Sequence, residues 1–338
     1  MCIYISLDNK KGEYKKVFKK ILRIAIMLFI IILFIWWINS IDFNTHRLFS
    51  TLNNMDKMFV AVIIILAISD VLFRVIKFQN ILFFFGYDLK ILGLIPVFFI
   101  GFFAGVLTPM KSGEPLKAVV LKKKKKVPLS VGVLSTLLER SFELLSIILF
   151  LAITLQNVST SYTINVAFVC IIVSMISFLS LCILYLDNLY FYKLFKKIQT
   201  TFKASKVQEF CKSMFNLIDI VKIKKYSTRI KYIFSWLLLS IVILLINFLI
   251  PYTLFISIGI NIPFTTVIFA NIVGTLLGLL SQSPGGLVAT EGIMIYIYSN
   301  FGVPIENALS VVLIGRSLFY LYLMIGWLYL IYERRIMH

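Results

Sequence analysis

Among the 15 acidic and 34 basic residues of this 338-residue chain, a few stand inside strongly apolar stretches: Asp70, Arg74, Glu139, Arg140, Glu143 and Arg316. A charge at the centre of a membrane helix costs about 2.5–3.5 kcal/mol on insertion scales, so these side chains are expected to face a polar interior. Glu139 and Glu143 are four apart and share a helix face, and Arg140 reaches Glu143 at the i,i+3 spacing. Asp70 and Arg74, near the inner end of their stretch, read with Glu143 as structural or coupling ion pairs. Arg316 has no acid nearby in its own stretch. It must find an anion elsewhere: Glu291, Glu139 or a ligand.

Two polar breaks supply the other half of an anion site. Thr108-Pro109 and Ser283-Pro284 each read as an N-cap followed by proline at the first helical position. A half-helix starting there would carry unpaired N–H groups and the positive end of its dipole at the membrane midplane. Gly285 and Gly286 would let a ligand approach the backbone. Ser112, Gly113 and Glu114 follow the first break and Glu291 the second, where a carboxylate suits an ammonium, a hydroxyl or one of the arginines. With Glu139, Arg140 and Arg316, these residues are the expected substrate-binding set.

Other chemistries lack their residues. The two histidines, His46 and His338, and the four cysteines, Cys2, Cys170, Cys182 and Cys211, form no paired spacing for zinc, a triad or a disulfide framework. No glycine-rich phosphate loop and no metal-binding acidic cluster is present, so neither a metal nor a cofactor is expected, and transport is expected rather than catalysis.

The elements that position these residues are apolar spans. Hydrophobic residues make up 60% of the chain, against roughly 45–50% in soluble proteins. Stretches 21–38, 58–78, 129–155, 163–186, 232–256 and 306–331 approach or exceed the ~20 residues of a full crossing. The first has a basic flank, yet Trp36, Trp37 and Ile38 stand where a signal peptidase needs small residues, so it reads as a retained anchor. The net charge of +19 could suggest nucleic acid, but the basic residues cluster at 10–23, 122–126, 187–231 and 334–335. The positive-inside rule assigns those clusters, and both termini, to the cytoplasm of a multi-pass cell-membrane protein. Parity then requires that 89–121 and 264–300 make no net crossing.

The expected fold is therefore an all-α polytopic membrane protein with six full spans and two re-entrant helical hairpins entering from opposite faces. Phe191, Leu194, Phe195, Ile198 and Phe202, interleaved with Lys193, Lys196, Lys197 and Lys203, read as a helix on an anionic membrane surface. The expected partners are membrane lipids, with anionic headgroups at the cytoplasmic face, and not nucleic acid.

A displacement of 176 positions aligns Val127-Pro128 with Val303-Pro304, Leu137 with Leu313 and Arg140-Ser141 with Arg316-Ser317, while Glu114 meets Glu291 with one gap. The order hairpin, Val-Pro, Arg-Ser span thus occurs twice, an inverted repeat of the kind that places transporter sites at mid-membrane. The chain divides into 1–57 (tail, first span, outer loop), 58–155 (half one), 156–231 (connecting span and basic segment) and 232–338 (half two and C-terminus).

At these residues the sequence resembles the transmembrane region of the lysylphosphatidylglycerol synthase/flippase family. The carriers are Leu107-Thr108-Pro109 with Ser112-Gly113-Glu114, the stretch from Val127-Pro128 to Leu138-Glu139-Arg140, Ser283-Pro284-Gly285-Gly286-Leu287 with Glu291, and Gly302-Val303-Pro304 leading to Arg316. The resemblance implies a lipid-flipping fold with re-entrant hairpins. Lys111 and Pro115 depart from the family's first motif, and Val288-Ala289-Thr290 replaces the Gly-x-x before its glutamate. The aminoacyl-transferase domain that makes the lysyl lipid has no counterpart here, so synthesis is not carried over. The expected function is translocation of an anionic phospholipid or polyprenyl-phosphate-linked lipid. The alternatives are an ion- or proton-coupled carrier of a small anionic solute and a membrane enzyme of lipid-linked sugar metabolism.

Overall fold

The computed structural model describes residues 57–108, 111–155, 196–197, 226–281, 284–286 and 288–336. Stretches 21–38 and 163–186 and nearly all of 187–225 lie outside the described residues, as do Pro109 and Ser283. The described part is all helical: α1 Lys57–Phe84, α2 Ile91–Val106, α3 Leu116–Lys125, α4 Leu129–Leu155, α5 Tyr226–Ser257, α6 Phe264–Leu280, α7 Ala289–Asn300 and α8 Ile305–Ile336. Helices α1, α5 and α8 are long and apolar enough to cross a membrane. Helix α4 is 27 residues, about 40 Å at 1.5 Å per residue, but carries Glu139, Arg140 and Glu143 in its middle.

Local chemistry ends the helices at matching places. Gly86 after α1 and Gly259 after α5 take φ of +89° and +75°, a left-handed geometry that costs glycine nothing. The amides of Tyr87 and Ile260 reach back to the carbonyls of Leu82 and Phe255, closing each helix with a glycine C-cap. Lys126 after α3 and Gly302 after α7 are also left-handed, and each is followed by Val-Pro and a new helix.

Packing follows the same exchange. The polar contacts between α1 and α5 run Asn80–Ser235, Lys77–Ser240 and Asp70–Asn247, so these two helices are antiparallel. Helix α2 packs on α8 and α6 on α4; α3 lies on α2 and α4, as α7 lies on α6 and α8. Close approach depends on small residues. A Cβ on Gly101 or Gly105 would fall 2.2 Å from Lys117 Cγ or 2.5 Å from Glu114 Cγ, and one on Gly278 would fall 2.0 Å from Thr290 Oγ1.

Two apolar clusters flank the charged residues. One joins Val75 to Phe84 of α1 and the following Phe85 with Val97 to Phe99 of α2, Leu134, Leu138 and Phe142 of α4 and Trp236 of α5. The other joins Ile63, Ile147 and Leu151 to the second half of α5 and to α6, α7 and α8. Ile65, Ile68, Leu92, Phe234 and Leu328 are exposed, an apolar outer surface of the kind lipid covers.

Candidate functional site

Asp70 and Arg74 sit one turn apart on α1, and Arg74 Nε lies 3.0 Å from Asp70 Oδ1. Arg74 Nη1 continues to Glu143 Oε1 of α4 at 3.2 Å. Glu143 is in turn held by Arg140, whose guanidinium also pairs with Glu114. The result is one chain of charges, Asp70, Arg74, Glu143, Arg140 and Glu114, running from α1 across α4 to the turn before α3. Asn247 of α5 donates its side-chain amide to Asp70 Oδ1 at 2.8 Å and so ties in a further helix.

A separate arginine–glutamate pair lies further along the chain. Arg316 Nε of α8 lies 2.6 Å from Glu291 Oε1, in the first turn of α7. Glu291 is fully buried, and among the described residues neither of its oxygens receives an aligned hydrogen bond, so its charge depends on the Arg316 ion pair. Arg316 also lies over the Phe319 ring at 4.9 Å. Arg140 and Arg316 are thus each fastened to a glutamate that follows a polar break, Glu114 and Glu291.

Of the anions open to Arg316, Glu291, Glu139 or a ligand, it holds Glu291, and Arg140 holds Glu114 as well as the expected Glu143. Removing either arginine strands a buried carboxylate, which costs about 3–5 kcal/mol in a buried pair.

The turn 107–115 also differs from the sequence reading. Thr108 is not the N-cap of a half-helix starting beside it. Its Oγ1 donates to the Ala104 and Gly105 carbonyls behind it and accepts the Gly113 amide at 2.6 Å, while α3 starts only at Leu116. The threonine hydroxyl therefore ties Gly113 to the end of α2 instead of capping a helix. In the second break Pro284–Gly286 form one 3-10 turn, and α7 starts at Ala289. The space a Cβ would need at Gly285 is filled by Val106 and Phe319, and at Gly286 by Thr290 and Gly278. These glycines satisfy left-handed φ values of +66° and +70° and close packing on their Cβ side.

A cleft of about 290 Å³ collects most of these residues. Asp70, Arg74, Thr108, Glu114, Arg140, Glu143, Gly285, Gly286 and Arg316 line it, together with the aromatic Phe98, Phe102, Phe248, Phe319 and Tyr322. Ser112, Gly113, Glu139 and Glu291 do not line it. Glu139 is turned away to pair with Lys117 Nζ at 2.8 Å, and that ammonium also lies over the Phe78 and Phe98 rings.

Four functional-site residues escape sequence reasoning. Lys117 looks like the start of the lysine run 122–126, yet it is buried. Lys77, 1% exposed, donates to the Glu139 carbonyl and to Ser240 Oγ, both at 3.1 Å. The signal for Asn247 is that it is the one side-chain amide in the apolar stretch 232–256. Lys111 lines the cleft with φ +56°, a conformation that costs an L-residue about 1–2 kcal/mol. Among the described residues no three of His, Cys, Asp and Glu converge as metal ligands.

The family model for the lysylphosphatidylglycerol synthase transmembrane region matches residues 21–326, nearly the whole chain. The chain belongs to that family. It is a multi-pass membrane protein, in keeping with its long apolar helices. A UPF0104 membrane protein of Methanothermobacter thermautotrophicus is 29% identical over 235 residues, 64% of this chain and 66% of that protein. Another, of Pyrococcus horikoshii, is 23% identical over 340 aligned positions, covering 94% of this chain and 98% of its own length. A third, of Methanocaldococcus jannaschii, is 24% identical over 219 residues, 64% of this chain and 88% of its own. No solved structure matches. The stretch that the family model matches holds both arginine–glutamate pairs.

Proposed function

We propose that the protein is a lipid translocase that passes an anionic lipid headgroup through the charged cleft. The observation that carries this reading is the cleft's mixed lining, in which Asp70, Arg74, Glu114, Arg140, Glu143 and Arg316 stand together with Phe98, Phe102, Phe248, Phe319 and Tyr322. A lipid brings both a polar headgroup and an apolar chain. At about 290 Å³ the cleft stands at the small end of the ~300–1,000 Å³ range of ligand sites, which suits a headgroup and leaves the chains outside.

The same reading has six crossings, with α2–turn–α3 and α6–turn–α7 as re-entrant hairpins and α1–α4 inverted relative to α5–α8. Supporting it are the helix lengths: 10 residues in α3 and 12 in α7 span about 15 and 18 Å, roughly half the ~30 Å hydrocarbon thickness. The antiparallel α1–α5 contact and the paired α2–α8 and α4–α6 contacts agree with two halves that exchange places about one axis. In inverted-repeat transporters the site lies between the halves, where this cleft gathers residues from α1, α2, α4, α5, α6 and α8.

The test is reconstitution of the purified chain in vesicles with a labelled anionic phospholipid in one leaflet. The expected result is protein-dependent loss of leaflet asymmetry, reduced at least tenfold by Glu114→Gln in protein that melts close to wild type. Equal rates in protein-free vesicles, over several lipid classes, would sink the proposal.

A further inference from the structure

Two asparagines of the cleft are held alike. Asn247 Nδ2 of α5 donates to the Ile243 carbonyl at 2.6 Å and to Asp70 Oδ1 at 2.8 Å. Asn271 Nδ2 of α6 donates to the Val267 carbonyl at 2.8 Å and to the Tyr298 hydroxyl at 3.0 Å. An amide nitrogen carries two hydrogens, so both donors of each side chain are taken. Turning either amide over would set its oxygen against a backbone carbonyl oxygen, which fixes the orientation. Only Oδ1 is left on each. Among the described residues neither Oδ1 receives a hydrogen bond and neither is sealed from solvent, while both residues line the cleft. Each amide therefore offers the cleft an acceptor and no donor.

The α5–α6 hairpin sets the two side by side. The Tyr252 and Phe264 rings meet at 5.0 Å next to the connecting loop. From there the helices run back to Asn247 and on to Asn271, about 8 and 10 Å at 1.5 Å per residue, so the amides stand at nearly the same depth. Thr275 follows Asn271 by one turn on the same face of α6, is exposed, lines the cleft, and its hydroxyl has no partner among the described residues. Pro251, also in the lining, brings no N–H to the Asn247 backbone carbonyl.

These acceptors select the chemistry of what binds. A phosphate oxygen, itself an acceptor, gains nothing from them. An ammonium needs a counter-charge, and the carboxylates are matched: Asp70, Glu114 and Glu143 stand with Arg74, Arg140 and Lys111, Glu139 with Lys117, and Glu291 with Arg316. A hydroxyl is uncharged and has a hydrogen to give. Phe248, next to Asn247 in the chain, lines the cleft with Phe102, Phe319 and Tyr322. A few placed polar groups among aromatic rings is the lining of a small-molecule site, and a sugar ring answers both parts, with C–H faces for the rings and hydroxyls for the acceptors.

We propose that the cleft recognises a sugar, whose hydroxyls donate to Asn247 Oδ1 and Asn271 Oδ1, with Thr275 Oγ1 as a third partner. The proposal adds an uncharged ring to the headgroup of the translocase reading. It rests on that reading only for the step after binding, when the lipid moves.

The experiment measures binding to the purified full chain, in a detergent without a sugar headgroup, of four probes: glucosyl-diacylglycerol, its per-O-methylated form, diacylglycerol and soluble methyl glucoside. The wild-type protein should hold glucosyl-diacylglycerol about tenfold more tightly than diacylglycerol, the scale of one or two net hydrogen bonds. The methylated form keeps the sugar's oxygens but has no hydroxyl to donate, so it should bind like diacylglycerol. Asn271→Leu should remove most of the preference. Thr275→Val, which breaks no hydrogen bond of the fold among the described residues, should lower it about threefold with an unchanged melting temperature, and Thr275→Ser should keep it. Equal binding of glucosyl-diacylglycerol and its methylated form by the wild type overturns the proposal, as does a preference unchanged in both Asn271→Leu and Thr275→Val. Asn271→Leu also takes a partner from Tyr298; if that variant does not fold, Thr275→Val decides alone, and an unchanged preference there overturns the proposal. A preference that depends on these residues without lipid movement in vesicles supports the site and refutes the translocase reading. Methyl glucoside held as tightly as the glucosyl lipid supports the site and makes a free sugar its ligand.

Discussion

The pair Arg316–Glu291 offers the cleanest measurement of what the charges do for the fold. Glu291 is fully buried and has no aligned hydrogen bond among the described residues, so Arg316 at 2.6 Å carries its compensation. Arg316→Leu strands that carboxylate and should cost about 3–5 kcal/mol, the range for breaking a buried pair from one side. The reverse change is milder. Glu291→Leu leaves an arginine whose side chain is 13% exposed and which lies over the Phe319 ring, and an aromatic face offsets roughly 0.5–2 kcal/mol of a cation's isolation. The double variant removes both charges and should recover most of the loss, since an apolar replacement of a buried pair is often neutral.

The assay is melting in detergent of the wild type, both single variants and the double variant, treated as a double-mutant cycle. The expected order of stability is wild type and double variant together, then Glu291→Leu, then Arg316→Leu. If the single losses simply add in the double variant, the coupling is zero and the pairing is refuted. If Arg316→Leu melts with the wild type, Glu291 has a partner other than Arg316.

Three further outcomes are expected. Glu291→Gln should lower the melting temperature more than Glu114→Gln, because Arg140 keeps Glu143 when Glu114 is neutralised whereas Arg316 has no second acid at ion-pair distance among the described residues; melting of the two variants side by side checks it. Gly113→Ala should destabilise by about 1–3 kcal/mol through the clash with the Ala104 carbonyl, read as a fall in the denaturation midpoint, while Gly292→Ala, which meets nothing within 4 Å, should change it little. Thr108→Val should cost about 1–3 kcal/mol by leaving the Gly113 amide unsatisfied, and Thr108→Ser should restore most of the loss in the same measurement.

Much of the helical layout was legible from hydropathy and breakers. The stretch 129–155 agrees with α4 residue for residue, and 58–78, 232–256 and 306–331 lie inside α1, α5 and α8. What hydropathy missed was where the helices end. Helix α1 runs on to Phe84 because Lys77, Gln79 and Asn80, which read as a polar exit from the membrane, find partners inside the protein: Lys77 on Glu139 and Ser240, Gln79 on the Leu89 carbonyl, Asn80 on Ser235. Hydropathy scores a side chain by its transfer to lipid, whereas these three transfer to prepared acceptors. Helix starts were misread for a related reason. A Thr-Pro or Ser-Pro pair signals an N-cap, but the hydroxyl of Thr108 had a competing use across the turn, and only the packing of Gly113 on α2 decides between the two.

The charges of the site were legible as a set but not as pairs, and the difference matters for chemistry. Sequence spacing gives Arg74 with Asp70 and Arg140 with Glu143, because both pairs fall on one helix face. It gives no sign that Arg140 is shared with Glu114, or that Glu139 pairs with Lys117, since those contacts depend on glycines of α2 letting α3 lie close. With the partners of Glu114 and Glu139 unknown, spacing could not show that Arg74 and Arg140 are shared among three carboxylates, Asp70, Glu143 and Glu114. An arginine shared in this way is fixed in place by two acids from different elements, whereas Arg316 has one. The chemistry of the site is therefore set less by which charged residues the chain contains than by how the fold pairs them.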